Sequence, residues 1–272
     1  MKSLGYITKE NNLITFNEVR KLDNREYEKY LDALEDINEI DDKISLFHMI
    51  FINYYDFQEY MERIIINFHH NKIIQSKTKT DVNNLNCRLN NFLSSIRLFL
   101  DHSDRKLKKK YGSESEEYIL FDNKTSELFD SYFSYRFLYK LRNYVQHNNV
   151  AITYINTFEA GDMISLSIAL NRDLLLNDFN WGKVKKDLEN QNDLIEIFPV
   201  MTEMLDNLKK LVLIVIKNEL EKIKDSIEFI NSLIDEIGKY HIPVTFNSDS
   251  DRDIQYSDFP LDLINFINYV LN

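Results

Sequence analysis

The sequence predicts a mainly α-helical protein, a bundle of long antiparallel helices with a small β-hairpin appendage. Only 5 glycines and 3 prolines interrupt the 272 residues, which favours long helices over an all-β sandwich or a glycine-looped α/β enzyme. Apolar residues recur at intervals of three and four over long stretches. They alternate with polar residues only in short segments, which are predicted to be strands.

For the first half of the chain, the sequence pattern predicts one hairpin and four helices. Tyr6–Thr8 and Leu13–Phe16 flank a turn-prone segment at residues 9–12, as expected of a β-hairpin. Helices are then predicted over residues 24–40, from the Asp41-Asp42 N-cap to His69-His70, over Asp81–Tyr111 with Gly112 as the terminating residue, and from about Thr125 to Asn148-Asn149.

The second half predicts an inserted hairpin, at about residues 150–176, followed by more helices. The next predicted elements are a short helix over Asn180–Glu189 and one long helix from Pro199 to Ile237, ended by Gly238. They are followed by a strand at His241–Phe246, an exposed loop at Asn247–Asp253 and a last helix from Pro260. We expect residues 1–40 to form an N-terminal hairpin and short helix, and residues 41–272 the helical domain, in a single compact unit.

Composition excludes several classes of function. The net charge of -11 argues against a general DNA-coating protein, because phosphate neutralisation requires a surplus of Lys and Arg. One cysteine excludes an internal disulfide and a cysteine zinc site, and adjacent His69 and His70 point about 100° apart on a helix, so no metal site is predicted. No phosphate loop or dinucleotide fingerprint indicates a cofactor. Without a signal peptide or a long apolar run, we expect a cytoplasmic protein that does not cross a membrane.

One segment carries the functional prediction: the aromatic-rich stretch from Phe133 to His147, in which Arg142 and Asn143 precede His147. It resembles the HEPN superfamily of helical ribonucleases, whose signature is an Arg, often followed by a polar residue, and a His four to six positions after the Arg. Residues Asn90–Arg97, with Asp101-His102 and Tyr111-Gly112, resemble a companion segment of some bacterial HEPN proteins. The resemblance covers roughly residues 41–149.

The resemblance implies a HEPN-type bundle and a metal-independent endoribonuclease without a cofactor, acting as a toxin or anti-phage defence effector. RNA is the expected substrate, and an antitoxin or defence-system protein is a further expected partner. His147 would act as general base or acid, Arg142 as the phosphate clamp, and Asn143 as a hydrogen-bonding residue to the phosphate or the imidazole. The residue types suit the chemistry, because a His that titrates near neutral pH can move protons and an Arg can stabilise a charged phosphorus transition state.

The helical spacing of Arg142 and His147 limits how the two residues can act on one substrate. Five residues along a helix leave Arg142 and His147 about 140° apart and about 7.5 Å along the axis. They can meet at one substrate if the helix frays at Gln146–Asn149, or if a two-fold dimer brings both subunits to one cleft. HEPN proteins are typically dimers, so a homodimer with a composite site is predicted.

Other residues have weaker claims. Arg136, Lys140, Arg105 and Lys106 are candidate RNA contacts, although cations at a helix end also form ordinary soluble faces. Asp101 and His102 are candidate supporting residues or a solvated pair. Two rival interpretations remain: a catalytically inactive HEPN-like module that binds a protein or nucleotide, and an unrelated structural bundle in which Arg142 forms a surface ion pair and His147 favours a helix C-terminus.

Overall fold

The computed structural model describes residues 2–10, 13–71, 79–160, 163–238, 241–247 and 254–272, and most of them are helical. The helices are α1 (Asn24–Asn71), α2 (Lys79–Tyr111), α3 (Glu116–Ser131), α4 (Phe133–His147), α5 (Arg172–Asp178), α6 (Lys185–Glu189), α7 (Ile197–Val215), α8 (Leu220–Ile237) and α9 (Leu261–Leu271). The strands are β1 (Lys2–Glu10), β2 (Leu13–Leu22), β3 (Tyr154–Ala160), β4 (Met163–Asn171), β5 (Leu194–Glu196), β6 (Ile242–Asn247) and β7 (Tyr256–Asp258).

The chain divides into two compact units. A terminal unit contains residues 1–44 and 216–272, and a central unit contains residues 45–215. The chain passes between them at Ile44, where α1 departs from helical geometry (φ -112°, ψ 18°), and just after the end of α7. The predicted boundary at residues 40 and 41 therefore lies beside the first crossing, while the C-terminal residues group with the N-terminal ones.

The terminal unit is built on an antiparallel sheet in the order β2-β1-β6-β7. β1 pairs with β2 along the predicted hairpin, which is confirmed, and with the distant β6, with Leu4 opposite Thr245. A bulge falls at Gly5, where an added Cβ would lie 2.1 Å from the Asn17 carbonyl oxygen. No side chain larger than hydrogen fits there. The first part of α1 and helices α8 and α9 supply the apolar residues of this unit, including Tyr30, Ile37, Ile230 and Phe266.

The central unit contains α2, α3, α4, α7 and the second part of α1, which bury a continuous apolar core. Tyr54 of α1 stacks on Phe198 of α7 at 5.3 Å between ring centroids, and its hydroxyl lies 2.8 Å from Thr202 Oγ1. A three-stranded antiparallel sheet, β3-β4-β5, contains the predicted inserted hairpin. Among the described residues, no helix has the length and apolar character needed to cross a membrane.

Two predicted helices are each two helices in the structure. The helix expected from Thr125 is the end of α3 and all of α4, separated by Tyr132 in an extended conformation (φ -116°, ψ 125°). α3 begins earlier, where Ser115 Oγ accepts a hydrogen bond from the Tyr118 N–H at 3.2 Å. The helix expected over Pro199–Ile237 is α7 and α8, interrupted by a 3-10 turn at Lys217–Glu219. In both cases the apolar spacing continues on each side of the break, so the pattern does not reveal it.

The two helices predicted over residues 24–40 and from Asp41 to His70 form the single helix α1, kinked at Ile44. The helix predicted over Asn180–Glu189 is a 3-10 turn at Gly182–Val184 followed by α6. The glycines predicted to end two helices do so. Gly112 and Gly238 terminate α2 and α8 with φ of 94°, a conformation that favours glycine. The short strand β5 and the helix α5 were not predicted. Residues 11–12 of the first turn, residues 72–78 and most of the predicted loop at 247–253 lie outside the described residues. The side chain of His70 also lies outside them.

Candidate active site on helix α4

Helix α4 is fixed by a large apolar face. Phe137, Leu141 and Tyr144 are almost fully buried. Trp181 lies 5.6 Å from Phe137 and 5.8 Å from Tyr144 between ring centroids, and its indole N–H donates to the Leu175 carbonyl at 2.6 Å. This aromatic packing sets which side chains of α4 face solvent.

The solvent-facing side of the last turns carries the motif. Arg142 and Asn143 are half-buried, while Gln146 and His147 are exposed. α4 remains helical through His147, and the Asn148 N–H donates to the Tyr144 carbonyl at 2.9 Å. The helix does not fray at Gln146 or His147, and at 100° per residue the two motif side chains stay about 140° apart. Arg142 and His147 therefore lie at opposite margins of the exposed surface, with Asn143 and Gln146 between them.

Arg142 has few partners for a half-buried cation. Its Nη1 donates to Asn143 Oδ1 at 3.4 Å, and its Nε is buried without a hydrogen-bond partner. Among the described residues, no carboxylate oxygen lies within 4.0 Å of its guanidinium. The rival interpretation, in which Arg142 forms a surface ion pair, therefore lacks an acidic partner among the described residues.

The other half-buried arginines of the described chain all have an acidic partner. They form the ion pairs Arg20–Glu26, Arg88–Asp56, Arg97–Asp101, Arg136–Asp187 and Arg172–Asp173. A partly desolvated cation without a counter-ion is unfavourable, and a planar guanidinium is well suited to an oxyanion. Arg142 is therefore the position in this set where an anionic ligand would contribute most.

Arg136, a predicted RNA contact, serves a different purpose. Its Nε donates to Asp187 Oδ2 at 2.8 Å and its Nη2 to Asp187 Oδ1 at 3.2 Å, while its Nη1 donates to the carbonyls of Phe129 and Asp130 at 3.0 Å each. The hydrogen bonds with Asp187 raise the pKa of Arg136. This arginine closes the end of α3 and links α4 to α6, which leaves it few donors for RNA.

A polar cluster joins α2 to the middle of α4. Arg97 forms an ion pair with Asp101 at 2.8 Å, donates to the Tyr139 hydroxyl and lies 4.7 Å from the centroid of that ring. Burial raises the pKa of neighbouring Tyr135, and the charge of Arg97 opposes that rise. Asp101 thus orients Arg97, and His102 is exposed. Sequence reasoning missed Tyr139 as a member of this cluster. The one available signal was its position four residues, about one helical turn, before Asn143.

Asn86 of α2 holds the segment that follows the motif. Its Oδ1 accepts hydrogen bonds from the N–H groups of Ala151 at 3.0 Å and Ile152 at 2.9 Å. Its Nδ2 donates to the Ile152 carbonyl at 3.0 Å. Because Ala151 and Ile152 are buried, these bonds fix the chain four residues beyond His147. Nothing in the sequence distinguishes Asn86 from the many other asparagines.

These contacts show that α2 and α4 run antiparallel, since Asn86 reaches the residues after α4 and Arg97 reaches Tyr139. A rise of 1.5 Å per residue places Arg105 and Lys106 about 16 Å or more from Arg142 along the helix axes. The structure does not bring them beside the motif. Lys140 is half-buried, and its position on α4 lies toward the His147 margin.

No protein-family profile, curated protein or solved structure matches the chain. Within the described residues, no three His, Cys, Asp or Glu side chains are grouped closely enough to hold a metal ion. The residues that the surface offers for chemistry are the uncompensated guanidinium of Arg142, the amides of Asn143 and Gln146, and the exposed imidazole of His147.

Proposed function

We propose that this chain is a metal-independent endoribonuclease of HEPN type that acts in the cytoplasm as a toxin or anti-phage defence effector. One observation carries the proposal. Arg142 is half-buried without a carboxylate among the described residues, and it shares the exposed surface of one helix with His147. A fixed cation that lacks an anion and a group able to move protons, exposed on the same helix, are the two groups that RNA cleavage requires.

The proposed reaction is an internal transesterification. His147 removes the proton from a ribose 2′-OH, and the 2′-oxygen attacks the adjacent phosphorus. The bond from phosphorus to the 5′-oxygen breaks, and that oxygen takes a proton from solvent water, while His147 returns its proton to solvent. The products are a 2′,3′-cyclic phosphate and a 5′-OH. Arg142 binds the non-bridging oxygens as their charge increases, and Asn143 holds the Arg142 guanidinium through its Oδ1.

We further propose that the active species is a homodimer. Because α4 is regular through His147, fraying does not bring the two motif residues together within one chain. A two-fold pairing places Arg142 of one subunit near His147 of its partner, which satisfies the geometric condition without distorting the helix.

The test is cleavage of total RNA by purified protein in EDTA, beside Arg142→Ala and His147→Ala variants. Wild type should generate fragments that end in 2′,3′-cyclic phosphate, and both variants should lose this activity. Equal cleavage by all three proteins would refute the proposal. RNA or nucleotide binding by wild type without cleavage would instead favour the inactive binding module.

A further inference from the structure

The solvent-facing side of the last turns of α2 is unusual for an acidic protein. His102, Arg105, Lys106 and Lys109 are all exposed, and at 100° per residue they lie within an arc of about 100° on one side of the helix. We call these four residues the α2 cationic face. The chain as a whole carries a net charge of -11, so this face is opposite in sign to the protein as a whole.

The acids nearest to this face on α2 are outside it and are already paired. Asp101 forms an ion pair with Arg97 at 2.8 Å, and Asp104 forms one with Lys108 at 3.1 Å. Arg105 donates from its Nε to the backbone carbonyl of Asp101 at 3.2 Å, which leaves its charge uncompensated. Among the described residues, no carboxylate oxygen lies within 4.0 Å of the cationic groups of Arg105, Lys106 or Lys109.

The same side of α2 continues without an acidic residue to the axial level of the motif, about 130° around the helix from Arg97, which contacts α4. Leu98 and Asn91 follow the cationic face along this arc, and both are exposed. Because α2 is antiparallel to α4, Asn91 lies level with the end of α4. Arg105 and Lys109 lie about 16 to 22 Å from Arg142 along the helix axes. Phosphates of a stacked strand are spaced about 3.4 Å apart, so the axial part of this path alone corresponds to about five to seven nucleotides.

We infer that the α2 cationic face binds the phosphate backbone of single-stranded RNA several nucleotides away from the bond positioned at Arg142 and His147. This inference rests on the proposed function for the choice of RNA as the polyanion. The surface contacts phosphates and not bases, so it contributes affinity without sequence preference. It makes the preferred substrate an RNA longer than about seven nucleotides.

The experiment measures binding of an uncleavable RNA, a single-stranded 20-mer with 2′-O-methyl groups, over 50 to 200 mM salt. The variant is Arg105→Gln/Lys106→Gln/Lys109→Gln. Its matched control, Lys21→Gln/Lys217→Gln/Lys224→Gln, removes the same charge from exposed lysines of the terminal unit. Loss of three phosphate contacts should reduce the slope of log K against log salt by about 2, at about 0.7 per phosphate for a single strand. The control should keep the wild-type slope.

Two further arms sharpen the result. The charge-retaining variant Lys106→Arg/Lys109→Arg should bind as wild type, which separates charge from folding. Binding of a four-nucleotide RNA should be the same for wild type and the triple variant, because it is too short to reach the cationic face. An unchanged slope for the triple variant, an equal decrease for the control, or no RNA binding by wild type would overturn the inference.

The binding assay also distinguishes this inference from the ribonuclease proposal. If the slope falls as expected but wild type cleaves no RNA, the cationic face stands and the catalytic proposal fails. If wild type cleaves RNA and the slope is unchanged, the catalytic proposal stands and this inference fails. If both hold, the triple variant should raise KM for the long RNA and leave kcat unchanged.

Discussion

Two arginines on the same helix, six positions apart, have opposite environments. Arg136, near the start of α4, has a bidentate carboxylate and two backbone carbonyls as partners. Arg142, near its end, has one long contact to Asn143 and a buried Nε without a partner. Both were candidate functional residues, and both are half-buried.

The difference between the two environments distinguishes a charge that stabilises the fold from a charge that is available to a ligand. A buried cation that is already compensated contributes to the folded state, and its removal leaves its partners unsatisfied. A cation that the protein leaves uncompensated is poised to gain from an external anion. Each arginine therefore predicts a different phenotype, one in stability and the other in activity.

The largest expected effect is on catalysis at Arg142. Arg142→Ala should reduce the rate of RNA cleavage about 100-fold to 1,000-fold, because it removes a donor to the charge that develops in the transition state. Its free energy of unfolding should stay within about 1 kcal/mol of wild type, since little in the protein depends on this side chain. Initial rates on a fluorescent RNA and urea unfolding measure the two quantities. Loss of stability with unchanged cleavage would reverse the assignment of the two arginines.

The next effect is on stability at Arg136. Arg136→Ala should lower the free energy of unfolding by about 2 to 4 kcal/mol, because it leaves the Asp187 carboxylate and the Phe129 and Asp130 carbonyls without their donor. The cleavage rate per folded molecule should not change. Adding Asp187→Ala to this variant should recover part of the loss, as a double-mutant cycle in urea would show. A decrease in cleavage without loss of stability would place Arg136 in the site.

A smaller effect is expected at Asn86, which supports the Arg142 end of α4 from outside the helix. Asn86→Ala should lower the free energy of unfolding by about 1 to 2 kcal/mol, because two buried N–H groups lose their acceptor. Amide hydrogen exchange at Ala151 and Ile152 should accelerate. Asn84→Ala is the matched control, since among the described residues the Asn84 side chain forms hydrogen bonds only within its own helix: its Nδ2 donates to the Thr80 carbonyl at 2.9 Å and its Oδ1 accepts from Arg88 Nη1 at 3.4 Å. Equal exchange rates in both variants would argue against a supporting role for Asn86.

The smallest effect concerns a simple anion. Sulfate, compared with chloride at equal ionic strength, should stabilise wild type more than Arg142→Ala, by a few tenths of a kcal/mol when its concentration is near its Kd. Sulfate also stabilises proteins in general, because it is excluded from their surfaces. This contribution is the same for wild type and the variant, so it drops out of the difference between them. Thermal unfolding of the two proteins in each salt gives the difference. A difference of zero would show that Arg142 does not bind oxyanions.

The sequence predicts much of the fold because the apolar spacing of long helices is a strong signal. α2 begins two residues before the predicted start and ends at the predicted Tyr111. The break between α3 and α4 at Tyr132 and the break between α7 and α8, which begins at Ile216, were not predicted. Neither residue is a glycine or a proline, and tertiary packing sets their conformations. The three-residue strand β5 depends on pairing with β4, which is a contact distant in sequence.

The site is less accessible to sequence reasoning. The Arg and His of the motif are visible as a spacing, but whether an arginine is compensated depends on acids elsewhere in the chain. Asp187 is 51 residues from Arg136, and no local pattern links them. Asn86 and Ile152 are 66 residues apart, so the support behind His147 is also hidden until the chain is folded.

The pairing of β1 with β6 also dictates an order of events on the ribosome. Lys2 lies opposite Asn247, so the sheet of the terminal unit cannot close until the chain has been synthesised through β6. The central unit is one continuous stretch, residues 45–215, and its last residue emerges from the ribosome before β6 does. Since contiguous domains generally fold as they emerge, we expect α4 and its surroundings to be assembled on the nascent chain before β1 and β6 pair.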